Sequence, residues 1–302
     1  MAKYAIGTIL YEARIRRRIP QKELCNGICT AVTLSRIENG TQTPRRTLCE
    51  ALMQRLGLPT PASFLVVSHE ELEQSNLEQQ IRAKLSREEY DYEELLTQYE
   101  YCSQEMDPME EQFELYASAR LQYHRTGNWK YAREELLEAL GLTMPELDLR
   151  LLHETRFLTT MELVILRDIA LGDYGQGKKE EAKSILLCLK NYLEHKEVDL
   201  EEKAKLYPEI LCYLGGWVGA EGRNEFAYEL CENGIRFCIA YDRLTFFPRL
   251  LFHKGSSLAR MGRREEAMPC FRQACAIFEA MDDQKRVHQC RREMEALTEA
   301  DS

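Results

Sequence analysis

Apolar residues along the chain recur at intervals of three and four, the period of helices that bury one face. Residues 5–18 set Ile6, Ile9, Leu10, Ala13 and Ile15, or the methylenes of Arg16, on one stripe, and Pro20 ends that register. A second short helix starts at Gln21 with Leu24, Cys25 and Ile28 facing inward, and Gly27 breaks it. Thr30 can cap a third helix whose apolar side is Val32 or Leu34 together with Ile37. Asn39-Gly40 closes that helix, since both residues tolerate left-handed backbone angles. Thr43-Pro44 reads as a cap followed by proline at the first helical position. The fourth helix then runs to Leu56 and stops at Gly57. Pro59 and Pro61 mark an exit, with a final turn around Phe64–Val67.

From about residue 70 onward helical patterns alternate with short glycine-containing turns, and no strand pattern stands out. Four segments align on one template. Each has a turn glycine (Gly127, Gly177, Gly222, Gly262), an alanine five residues later (Ala132, Ala182, Ala227, Ala267) and a larger apolar residue or cysteine four further on (Leu136, Leu186, Cys231, Phe271). Alanine recurs three residues later at Ala139 and Ala274, and glycine stands seven residues before the turn at Gly215 and Gly255. The glycine permits a sharp reversal and the alanine lets the second helix lie close to the first. The spacing drifts from 50 to 45 to 40 residues, which predicts longer helices or loops and an irregular superhelix. A weaker unit has its second helix at Tyr92–Cys102, and a capping helix ends the array around residues 284–298.

Charge divides the chain in the same place as the pattern. Residues 1–66 hold ten Lys/Arg and four Asp/Glu, whereas the remainder is acidic enough to bring the total to −10. A basic head on an acidic body predicts that only the head meets a polyanion. No run approaches eighteen apolar residues and the N-terminus lacks a signal-peptide pattern, so no membrane partner and a cytoplasmic setting are expected. Eleven cysteines without a CxxC pair read as reduced thiols that fill the core. The six histidines form no HExxH and no metal spacing with cysteine, and "GDYGQGKK" lacks the spacing of a phosphate loop. The acidic pairs lie on amphipathic helices. These observations predict no enzyme, no cofactor and no metal.

The segment "QKELCNGICTAVTLSRIENGTQTP" resembles the Xre/Cro-type helix-turn-helix domain, through Gln21, Leu24, Ser35, Arg36, Ile37, Glu38, Asn39, Gly40 and Pro44. The "GIC" at 27–29 is similar to the short turn of Rgg- and PlcR-type regulators. The resemblance implies that Thr30, Ala31, Val32, Thr33 and Arg36 form the reading face. Ala31 and Val32 would meet thymine methyls and Arg36 a guanine or a phosphate. It further implies Gln21 on phosphate, and Asn39, Arg45 and Arg46 on phosphate or in the minor groove. Glu38 is expected to pair internally. The repeats are similar to tetratricopeptide repeats. Head and repeats together resemble the Rgg/PlcR/PrgX (RRNPP) branch of peptide-sensing regulators.

That resemblance implies an all-α chain with a DNA-binding domain over residues 1–67. A repeat domain over 68–302 would bind a short signalling peptide and form a homodimer. By template position the peptide face is Glu114, Leu121, His124, Arg167, Leu171, Tyr174, Glu209, Tyr213, Arg249, Phe252 and Ser256. Each of these is equally consistent with packing or plain surface. The alternatives are a repeat-based interaction scaffold, or a repressor whose array binds another protein.

Overall fold

The structure is a computed structural model that describes residues 6–60, 69–102, 106–154 and 157–299. The expected turn at Phe64–Val67 and the expected domain boundary at residues 67 and 68 lie outside the described residues. Among the described residues the chain forms fifteen α-helices and no strand. The helices divide between two compact units, Met1–Ile185 with Lys196–Asp199, and Leu186–His195 with Leu200–Ser302.

In the first unit, α1 (Ile6–Arg16), α2 (Gln21–Leu24), α3 (Ala31–Glu38) and α4 (Arg46–Arg55) enclose one core. Leu10, Leu24, Leu34, Ile37, Cys49, Leu52 and Leu56 are essentially inaccessible to water. The sequence left Val32 and Leu34 as alternatives for the inner side of α3, and Leu34 is the buried one. The α1 stripe is displaced from its expected register. Gly7, Leu10, Ala13 and Arg14 are buried, whereas Ile9 and Ile15 are exposed. The cause is the crossing with α3, where a side chain at Gly7 would collide with the Ile37 carbonyl. The start of α4 also differs from the Thr43-Pro44 expectation. Arg45 is its extended N-cap residue and makes no side-chain capping bond, and the helix begins at Arg46.

The rest of this unit consists of α5 (His69–Ser86) with α6 (Glu93–Cys102), α7 (Pro108–Thr126) with α8 (Trp129–Thr143), and α9 (Thr160–Gly175) with the first part of α10 (Lys179–His195), whose residues 186–195 belong to the second unit. Asp107 and Thr159 cap α7 and α9 with reciprocal bonds to Glu110 and Glu162. The segment between α8 and α9 holds a 3-10 turn over Leu149–Glu154, which accounts for the longest repeat spacing.

In the second unit, α11 (Leu200–Ala220) pairs with α12 (Asn224–Ala240), α13 (Phe247–Arg260) with α14 (Arg264–Ala280), and α15 (Gln284–Glu299) closes the row against α14. The template holds in three dimensions. All four turn glycines have positive φ, and the four alanines that follow are buried. The glycines seven residues before the turn have a packing reason. A Cβ at Gly215 would lie 2.6 Å from the Cys231 sulfur, and one at Gly255 would lie 3.0 Å from the Phe271 ring. The larger residue of the second helix thus sits on a bare patch of the first. Close packing of this kind leaves no room for an added methyl.

Candidate functional sites: the head and the first helices of the repeats

The outer side of α3 is open to solvent. The Thr30 hydroxyl accepts from the Thr33 amide at 3.0 Å, the N-cap bond expected from the sequence. Val32 is 61% exposed, although it is a large apolar residue. Arg36 is exposed, and its guanidinium has no hydrogen bond or ion pair among the described residues. Ala31 and Thr33 are half-buried on the same helix. At its end Asn39 stays right-handed and only Gly40 is left-handed. The Arg36 carbonyl there accepts from the Thr41 amide at 2.9 Å and from its hydroxyl at 3.0 Å.

Behind this face lies a set of buried arginines. Arg14 reaches both Glu38 oxygens, at 2.6 and 2.8 Å, and Gln21 donates to the same carboxylate at 2.7 Å. Glu38 thus pairs internally, as expected. Gln21, placed by resemblance on phosphate, is half-buried and turned inward. Arg46 is corrected outright. It is buried between Glu50, at 2.9 Å, and Glu78, at 2.7 Å, so it is not a DNA contact. Arg45 remains exposed, with Glu110 at 4.0 Å.

The turn between α2 and α3 is held from below. Arg55 donates to the carbonyls of Leu24, at 3.1 Å, and Asn26, at 2.5 Å. Its other nitrogen reaches the Thr143 carbonyl at 3.4 Å and Glu162 at 3.2 Å. Gly27, with φ +72°, passes so close to the end of α8 that a Cβ would lie 1.9 Å from the Thr143 carbonyl oxygen. Thr47 donates to Asp107, the cap of α7. The back of the head is therefore fastened to α7, α8 and α9.

Among the repeat residues of the first unit, Leu121 is buried and belongs to the core, not to a ligand face. His124 is exposed and stacks on Tyr90, with ring centroids 4.1 Å apart. The Glu114 carboxyl is pushed up by burial and then by Glu100, Glu111 and Glu135. Tyr174 is half-buried with the Lys179 ammonium 5.7 Å from its ring. Arg167 binds Asp168 at 2.8 Å, and Asp168 also takes Arg120 at 2.7 Å and Tyr116 at 3.1 Å. Arg120, Asp168 and Leu171 line a pocket of about 170 Å³ that Tyr123 and Trp129 complete. Arg120 and Asp168 were missed from sequence. The signal was an acidic residue in the middle of the apolar run "MELVILRDIALG", where burial demands a cationic partner.

In the second unit Arg249 lies over the Tyr213 ring at 4.7 Å and over Phe246 at 5.4 Å. Glu209 is close enough to Arg249 to favour its charge. Phe252 packs edge-on against Phe271. Ser256 is buried and its hydroxyl donates to the Phe252 carbonyl of its own helix, so it is withdrawn as a ligand contact. Glu209, Tyr213 and Arg249 are brought together as one cluster.

Residues 10–62 match the family model described as helix-turn-helix. This segment is a helix-turn-helix DNA-binding domain. No curated protein sequence matches the chain. Solved structures share its fold over nearly the whole length. Bacillus thuringiensis PlcR in complex with the peptide PapR7 and DNA has 17% identity and a TM-score of 0.59, covering 97% of this chain and 98% of its own. The apo form of PlcR gives 17% identity and a TM-score of 0.56, covering 98% and 99%. The apo competence regulator ComR from Streptococcus vestibularis gives 13% identity and a TM-score of 0.51, covering 97% and 98%. No helix among the described residues is long and apolar enough to cross a membrane.

Proposed function

We propose that the chain is a sequence-specific transcription regulator that binds operator DNA as a homodimer and senses a short signalling peptide through its repeats. The observation that carries the reading is the split of α3 into a sealed side, Leu34 and Ile37, and an open side, Val32 and Arg36. A helix so divided can enter a major groove without unpacking its own core. Arg36 would take guanine O6 and N7, and Ala31 and Val32 would take thymine methyls. Thr30, Thr33, Asn39 and Arg45 would touch the backbone or adjacent edges. The peptide half of the reading is supported by the shared fold with PlcR, solved with PapR7 and DNA, and with ComR, solved with its cognate signalling peptide XIP.

A route between the two activities runs along α9. Its first turn carries Glu162, which holds Arg55 under the helix-turn-helix turn. Over the next one to three turns come Arg167, Leu171 and Tyr174 of the expected peptide face. A ligand that displaces α9 would shift the support of the turn, provided it binds the two positions of α9 unequally.

Selection of genomic duplex fragments by the full chain tests the reading. The expected product is a two-fold sequence with half-sites about one helical turn apart, and a sedimenting dimer on it. Fragments without sequence enrichment would contradict the reading. For the peptide, Arg249→Glu should abolish retention of synthetic heptapeptides while leaving operator binding by the free chain intact. Arg167→Glu is the poorer probe, because it would also strip a partner from buried Asp168.

A further inference from the structure

One face of the second unit gathers three guanidinium groups around a single imidazole. Arg249, His253 and Arg260 stand at intervals of four and seven on α13, the spacing of a single helical face. They look onto α11 where it carries Gly216 and Gly219. A Cβ at Gly216 would lie 2.9 Å from the His253 ring, so the imidazole rests on bare backbone. The Arg260 guanidinium donates to the Gly219 carbonyl at 2.7 Å and has no other bond among the described residues. Arg249 donates only a long bond, 3.5 Å, to the Tyr213 hydroxyl. From α15, Arg286 approaches the same imidazole while paired with Asp283. Glu209 and Asp283 are the carboxylates that face the group.

His253 registers the result. Burial first, and then Arg249, Arg260 and Arg286, push its pKa down to about 4, so the ring is neutral at pH 7. Its ring nitrogens have no hydrogen bond among the described residues. Three guanidinium groups, each with a single hydrogen-bond partner among the described residues, surround an imidazole that has none there and rests on a glycine floor, an arrangement that an anion completes. Charge-assisted and bidentate bonds to an oxyanion would use those donors.

We propose that this face binds an oxyanion, namely the terminal carboxylate of the ligand peptide, with Arg249 and Arg260 as the main donors and His253 as a third. The peptide part rests on the function proposed above. An extended peptide always brings one terminal carboxylate, whatever its side chains, and Tyr213, Phe246 and Phe252 stand beside the site to meet the last residue.

The test uses the full chain with labelled histidine, the His253 signal being assigned by its loss in His253→Gln. Acetate is added at neutral pH, with chloride at equal ionic strength as control. The expected result is a saturable shift of the His253 ring resonances with acetate alone. Identical responses to acetate and chloride would overturn the site. A second arm passes random heptapeptides lacking Asp and Glu over the immobilised chain, once as free acids and once as C-terminal amides. Retention of the acids and loss of the amides supports the assignment. Equal retention overturns the carboxylate role and leaves peptide sensing standing. Retention of neither, with the acetate response intact, removes the peptide reading and leaves an oxyanion site.

Discussion

The front and back of the helix-turn-helix head are built with the same residue type and use it in opposite ways. On the front, Arg36 is exposed, and its guanidinium has no partner among the described residues. On the back, Arg14, Arg46 and Arg55 are buried, each against a carboxylate: Glu38, Glu50 with Glu78, and Glu162. A buried pair contributes little net stability, but losing one partner strands the other charge. An exposed arginine costs almost nothing to remove from the fold and is available to phosphate or a base edge. The basic surplus of the head therefore overstates its DNA-binding face.

The largest expected effect comes from attacking the back. Arg55→Ala removes bonds to Leu24, Asn26 and Thr143 and strands Glu162, whose side chain is fully buried. It should cost about 3–5 kcal/mol in chemical denaturation. A loss below about 1 kcal/mol, the scale of a surface pair, would mean that the clamp is not structural. Acid sharpens the same point in the repeats. Burial alone would raise the Asp168 carboxyl, yet Arg167 and Arg120 beside it hold it below the ordinary carboxylate range. Glu78 is held down likewise by Arg82 and Arg46, against its burial. Groups of this sign add stability that is fully present above their unfolded pKa, about 4, and lost as pH falls through the lower folded value. The denaturation midpoint should fall across this window, and Asp168→Asn should start lower and flatten the fall. An unchanged slope in that variant would remove Asp168 from the account.

The smallest effect belongs to the rim. Arg45 is exposed on the rim, with Glu110 at 4.0 Å. Arg45→Ala should weaken binding to all DNA sequences about equally and reduce the salt slope by about one. Thermal stability should hardly move. A sequence-selective loss at this position would put base reading on the wrong arginine.

Much of this was legible in the sequence, because helix periods and turn chemistry are local. Thr30 announced its capping bond, and the four turn glycines announced left-handed turns. Gly215 and Gly255 stood out by their position alone, and their close approach to Cys231 and Phe271 came only with the fold. What stayed hidden depended on distant partners. Nothing near Arg46 in sequence reveals Glu78, and nothing near Arg55 reveals Glu162, so Arg46 looked like one more basic residue of a DNA-binding face. Leu121 and Ser256 failed for a related reason. The template places them on the first helices, but whether such a position faces the core or the open side depends on how neighbouring helices are rotated. The α1 register slipped because Gly7, invisible to a hydrophobicity count, is where α3 crosses.

The central claim is that the open side of α3 reads base identity while the arginines behind it hold the fold. It is tested most directly by measuring the affinity of the full chain and of Arg36→Ala for a selected operator and its single-base variants at fixed salt. The account predicts a loss of about 1–3 kcal/mol on the operator, with discrimination erased at one base pair per half-site and the denaturation midpoint unchanged. Discrimination that survives at every position in Arg36→Ala would contradict it.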